Sequence, residues 1–76
     1  MVNVLFFAGL KEQFGKERMM VEAGGLTIRE LKNKFLSSHL ASLDQAMTAI
    51  NEEYADDAAV VKDGDTVAFI PPVSGG

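Results

Sequence analysis

Two nearly continuous apolar runs stand at opposite ends of this 76-residue chain, Val2 to Phe7 and Thr66 to Ile70. Both are rich in β-formers and lack the polar alternation of a half-exposed strand, so both read as strands in the interior of one sheet. That placement constrains everything between them. A sheet with two such strands at its centre needs cover on its faces, from helices of the same chain or from a partner. The chain has no cysteine, so a disulfide staple and a cysteine-based metal site are both excluded. A domain this short buries only about 60% of the surface its unfolded form exposes. It therefore needs a regular core or a partner to lean on.

The intervening sequence supplies one strong helix and several short elements. Thr27-Ile28-Arg29-Glu30 has the form of a capping box, with Leu26 and Leu31 at the two positions of a hydrophobic staple. Ile28, Leu31, Phe35 and Leu36 then mark an apolar face, with Arg29, Lys32 and Lys34 read as turned outward, and the helix ends near Ser37-Ser38. Upstream, Leu10 and Phe14 before Gly15 predict one or two helical turns with a glycine stop. Glu17 to Glu22 pairs back as a strand, and Gly24-Gly25 breaks the regular structure. Downstream, a short helical stretch around Leu40 and Leu43 precedes a strand at Thr48 to Asn51 and a turn into Tyr54. Asp63-Gly64 is a turn signal, and Pro71-Pro72 ends the last strand because proline cannot donate to a ladder. The expected fold is α+β, a sheet with one principal helix packed on one face, in a single domain over residues 1–76 with 71–76 as a flexible C-terminal tail.

The composition excludes several function classes. Eleven acidic against seven basic residues give a net charge of −4, without a Lys/Arg cluster to attract a phosphate backbone. No run approaches the roughly 20 apolar residues of a membrane span. The first residues lack a signal peptide's basic flank and apolar core, so a cytoplasmic location is expected. With no cysteine, one histidine and no phosphate-binding glycine loop, a conventional nucleophile or ATP site has little to be built from. His39 reads as an exposed helix-end residue. Glu52, Glu53, Asp56 and Asp57 read as a solvated turn, with no metal site expected. Of each adjacent pair Met19/Met20 and Phe69/Ile70, one side chain faces the core and the other the opposite face. Phe69, Ile70 and Phe7 are the candidates for a partner interface.

The chain's chemistry points to its end, Pro71-Pro72-Val73-Ser74-Gly75-Gly76. Glycine at the last position leaves a carbonyl open to attack from either face, and Gly75 lets the tail thread a narrow slot. Pro71 and Pro72 stiffen the exit, which limits the entropy lost on docking. Fully extended, Val73 to Gly76 projects roughly 13 Å. A carboxylate is a poor electrophile, so its use requires activation, normally as an acyl-adenylate made by an ATP-dependent partner.

Three stretches carry a family resemblance: Val4-Leu5-Phe6-Phe7-Ala8, the helix entry from Thr27 to Leu31, and the end from Asp63 to Gly76. They resemble the ubiquitin-like β-grasp sulfur carriers, and most of all the small subunits of molybdopterin synthase (the MoaD type). The Pro-Pro-Val-Ser-Gly-Gly ending differs from the thiamine carrier ThiS, which lacks the paired prolines, and from ubiquitin's arginine-containing tail. The resemblance implies that Gly76 is adenylated and converted to a thiocarboxylate, the sulfur donor to cyclic pyranopterin monophosphate in molybdenum cofactor biosynthesis. It implies a large subunit (MoaE) that holds the catalytic side chains, an E1-like adenylating enzyme (MoeB) that uses ATP, and a heterotetramer. No cofactor is bound by the small chain itself. A thiazole-forming carrier, a ubiquitin-like modifier of protein lysines and a plain interaction module are the alternatives.

Overall fold

The computed structural model describes residues 1–72. The two terminal apolar runs lie side by side as parallel strands: β1 (Val2–Phe6) pairs with β5 (Thr66–Ile70) in the register Asn3–Thr66 to Phe6–Phe69. β2 (Arg18–Val21) adds antiparallel to the outer side of β1, while β3 (Met47–Ile50) adds antiparallel to β5 and carries β4 (Glu53–Ala55). The sheet order β2-β1-β5-β3-β4 thus puts both apolar strands in the interior, as their composition requires. A parallel pair needs a long crossover. Everything between β1 and β5 supplies it, including the helices.

Those helices are α1 (Gly9–Phe14), α2 (Ile28–Phe35) and α3 (Leu40–Gln45), the last preceded by a 3₁₀ turn at Ser37–His39. Gly15 ends α1 in the left-handed conformation at φ 72°, where a side chain would be strained. α2 begins on the predicted capping box: Thr27 Oγ1 accepts from Glu30 N at 3.1 Å, and Thr27 N donates to Glu30 Oε1 at 2.9 Å. Two further first-turn donors are met from the segment before β5. Ile28 N donates to the Ala59 carbonyl at 2.9 Å and Arg29 N to that of Asp57 at 3.0 Å. The free N–H groups of a helix start are therefore paired without solvent.

The core lies between the sheet and α1, α2 and α3. It is built from Val2, Val4, Phe6, Val67 and Phe69 of the central strands against Leu10, Ile28, Leu31, Leu36 and Leu43. Phe6 stacks on Phe14 at 4.4 Å between centroids and on Phe69 at 6.4 Å. The continuous apolar runs do not produce strands buried on both faces. Burial alternates along β1 and β5, with Asn3, Leu5, Thr66, Ala68 and Ile70 only half-buried. All the helix cover lies on one face, so the apolar residues of the other stay open.

Lys32 is a correction to the sequence reading. Its side chain is 3% exposed rather than turned outward. The ammonium donates to Asp57 Oδ1 at 2.8 Å and Asp44 Oδ1 at 3.4 Å, and sits 5.9 Å from the Phe69 ring centroid. Arg29 bridges the same two carboxylates, at 2.8 Å to Asp44 and 2.6 Å to Asp57. Asp57 is thus half of a clamp that ties α2, α3 and the segment before β5 together, and not a free residue of a solvated turn. Its hydrogen bond from Lys32 holds its carboxyl below the ordinary range, and the bond from Arg29 does the same for Asp44. A group with a depressed folded-state pKa stabilises the fold above its unfolded value and loses that contribution as pH falls through the folded one. Stability should therefore hold from neutrality down to about pH 4, the ordinary aspartate value, and fall below it. Urea midpoints measured between pH 7 and pH 2.5 check this. A midpoint unchanged across that range would mean that the clamp adds nothing.

Candidate functional site

The open face of the sheet carries an apolar concavity outside the core. Cross-strand neighbours share a face. The register therefore sets Leu5, Ala68, Ala49 and Tyr54 in one row across β1, β5, β3 and β4, with Ile70 beside Met47 in the next row. Ala49 and Ala68 form a low floor, and larger side chains stand around it. The result is a groove of about 690 Å³ lined by Leu5, Phe7, Ala49, Asn51, Glu52, Tyr54, Thr66, Ala68 and Ile70. Phe7 is 44% exposed and Tyr54 73%. An exposed apolar concavity of this kind is the sort of surface that partners or ligands cover.

The rim of the groove is fixed by a tight turn. Asn51 and Glu52 both have positive φ, at 50° and 71°, as a two-residue hairpin between β3 and β4 demands. Asn51 is clasped to the start of β5: its Oδ1 accepts from Thr66 N at 3.0 Å and its Nδ2 donates to Asp65 Oδ1 at 2.9 Å. Asp65 also accepts from Lys62 N at 2.8 Å, and these bonds hold its carboxyl below the ordinary range. The Asp63-Gly64 turn that precedes it places Gly64 at φ 92°. The groove therefore rests on a hydrogen-bonded frame.

The three proposed interface residues separate. Phe69 is wholly buried, under Lys32 and against Phe6, and so belongs to the core rather than to a docking surface. Ile70 and Phe7 lie on the open face and line the groove together. Pro71 and Pro72 follow directly and line a shallow surface pocket together with Gly9, Leu10 and Gln13 of α1 and Ser42 and Gln45 of α3. The exit of the tail thus opens beside α1 and α3. Val73, Ser74, Gly75 and Gly76, named above for the tail and its reacting carboxylate, lie outside the described residues. His39 is half-buried rather than exposed, edge-on to Phe14 at 4.8 Å with its Nδ1 3.0 Å from Ser38 Oγ. Among the described residues, no three metal-ligating side chains converge, and no helix is long and apolar enough to cross a membrane.

Sequence reasoning missed Tyr54, Ala49 and Ala68 as parts of the groove. A signal existed for Ala68, which alternates with the buried Val67 and Phe69. Tyr54 and Ala49 required the register of β3 and β4, which the sequence alone does not state.

A five-stranded mixed sheet, helices on one face and a parallel pairing of first and last strands define a ubiquitin-like β-grasp domain. Residues 4–76 match the ThiS family, and the chain belongs to it. A relative from Chlamydomonas reinhardtii, described as a molybdopterin synthase sulfur carrier subunit, is 39% identical over 99% of this chain and 98% of its own length. Among solved structures, a complex of subunits 1 and 2 of the molybdopterin-converting factor from Helicobacter pylori contains a chain with TM-score 0.73 and 28% identity, covering 99% of this chain and 97% of that one. SAMP1 from Haloferax volcanii superposes with TM-score 0.75 at 26% identity, over 99% of this chain and 98% of its own.

Proposed function

We propose that this chain is the sulfur-carrier subunit of a molybdopterin synthase, working in the cytoplasm and docking to the large subunit through its open sheet face. The observation that carries the reading is continuity: β5 forms the middle of the open face and runs directly into the Pro71-Pro72 exit of the tail. A partner that covers the groove receives the tail at its own surface. The family match and the full-length relatives named as sulfur carriers of molybdopterin synthase support the same reading. The Helicobacter pylori complex supports a large-subunit partner.

In this reading an E1-like activating enzyme of the MoeB type uses ATP to adenylate Gly76, releasing pyrophosphate. A sulfur nucleophile then displaces AMP and leaves a thiocarboxylate. Donation to cyclic pyranopterin monophosphate forms a carbon–sulfur bond on the pterin, and water at the glycine carbonyl returns the carboxylate. The small chain contributes the docking grip and the cargo, and binds no cofactor. The large subunit (MoaE type) contributes the catalytic side chains, and the two assemble as a heterotetramer. The tail from Pro71 through Pro72, Val73, Ser74 and Gly75 to Gly76 occupies the partner's pocket.

Incubation with activating enzyme, ATP and a sulfur source tests the reading. A thiol-directed alkylating reagent should trap one adduct, and peptide mapping should place it on Gly76. Mass alone does not suffice, because oxidation of any of the four methionines shifts it almost identically. A chain that folds and docks yet never acquires the adduct would refute the carrier role.

A further inference from the structure

The docking face carries two thioethers that the sulfur-carrier chemistry does not use. Met20 pairs with Asn3 across β1–β2, and Met47 pairs with Ile70 across β3–β5. Both therefore project on the open side of the sheet, and they are 54% and 45% exposed. Met47 stands beside Ile70, the last residue before the Pro-Pro exit. Met19, next to Met20, lies on the opposite side with Val4, half-buried against the core. Met1 is 47% exposed but lies outside the strands, with its amino group paired to Asp63. The chain has no cysteine to react first with an oxidant.

From this placement we propose that Met20 and Met47 are sites of reversible sulfoxidation by peroxides, and that their oxidation loosens the docking face from its partner. The proposal rests on the reading of that face as the large-subunit interface. In the reaction a thioether sulfur attacks one peroxide oxygen and the O–O bond breaks. The sulfur is oxidised by two electrons to the sulfoxide, and the peroxide is reduced, its second oxygen leaving as water after taking up a proton. Each event replaces a flexible apolar side chain with a strongly polar S=O group. On the free chain, water solvates that oxygen. Under a docked partner that oxygen exchanges water for a surface that had met a thioether, and a polar group is costly to bury where its lost hydration is not replaced. The buried core is untouched, because the modified sulfurs lie on the uncovered side. Sulfoxide reductases restore the thioether at the expense of a thiol, which makes the change reversible.

Hydrogen peroxide treatment followed by calorimetric titration with the cognate large subunit tests the proposal. Peptide mapping should find sulfoxide at Met20 and Met47 well before Met19, and the doubly oxidised chain should bind about tenfold more weakly. Methionine sulfoxide reductases should restore the starting affinity. In the double variant Met20→Leu, Met47→Leu, the ratio of affinities before and after peroxide should stay at one, whatever that variant's own affinity. Undiminished docking of a chain oxidised at both positions overturns the proposal and leaves the docking reading standing. An equal loss in the leucine variant also overturns it, since Met1 or Met19 would then be responsible. Failure of the untreated chain to dock overturns the docking reading, and the proposal with it.

Discussion

A chain with one alanine appended after Gly76 should fold and dock like the parent, yet acquire no thiocarboxylate and support no molybdopterin formation. The reason is positional. One added residue moves the terminal carboxyl by about 3.5 Å and buries the Gly76 carbonyl in an amide. A misplacement of about 1 Å at a reacting centre already lowers a rate by about a hundredfold. The amide is also no substrate for adenylation, and the new terminus carries a Cβ where glycine had none. Loading should therefore fall by more than a hundredfold, to the limit of detection of the alkylation assay. The change lies beyond Pro72, and the core elements that pack β5 are unaltered, so the urea midpoint should match the parent's. Full activity of the extended chain would sink the carrier reading. A loss accompanied by unfolding would show instead that the tail matters to the domain.

How much of this was legible in the sequence depends on whether the information was local. The Thr27–Glu30 capping box spans four residues and forms as its spacing predicts. So do the Gly15 stop of α1 and the turn at Asp63-Gly64. The two terminal strands proved central because their composition demanded burial. Faces were harder. Phe69 and Ile70 are both apolar, and only the register of β5 against β1 and β3 puts Phe69 under the helices and Ile70 on the open side. Lys32 shows a different failure. It follows Ile28 by four residues, so the helical period itself places it on the buried face. Its charge argued for solvent, and the partners that make its burial tolerable, Asp44 and Asp57, stand 12 and 25 residues away. A buried charge is affordable only when paired, and pairing at that separation is written in the fold rather than in any window of sequence. The groove was half legible. An apolar strand with helix cover on one side implies a partner on the other, but the walls at Tyr54 and Ala49 depend on strand pairing.

Substituting Phe69 and Phe7 separately should split the two roles of the terminal strands. Phe69 is wholly buried, packed on Phe6 and lying 5.9 Å below the Lys32 ammonium. Phe69→Ala leaves a cavity at the junction of β5, β1 and α2, and such truncations cost about 3–5 kcal/mol. It also removes the ring that Lys32 faces, so the ammonium loses its apolar cover. Domains have net stabilities of roughly 0.05–0.15 kcal/mol per residue, or about 4–11 kcal/mol for a chain of this length. The variant should thus lose about a quarter of its stability at the least, and at the lower end it should be largely unfolded at 37 °C. Phe7→Ala removes the same phenyl ring, but from the rim of the groove. Because that ring is 44% exposed and lies outside the core, its loss should shift stability by less than about 1 kcal/mol. Docking to the large subunit should weaken by about tenfold or more, as for an aromatic anchor at the centre of an interface. Urea denaturation and titration calorimetry on both variants give four values. A Phe69→Ala chain as stable as the parent would contradict the core assignment, and a Phe7→Ala chain that docks at full affinity would move the interface elsewhere.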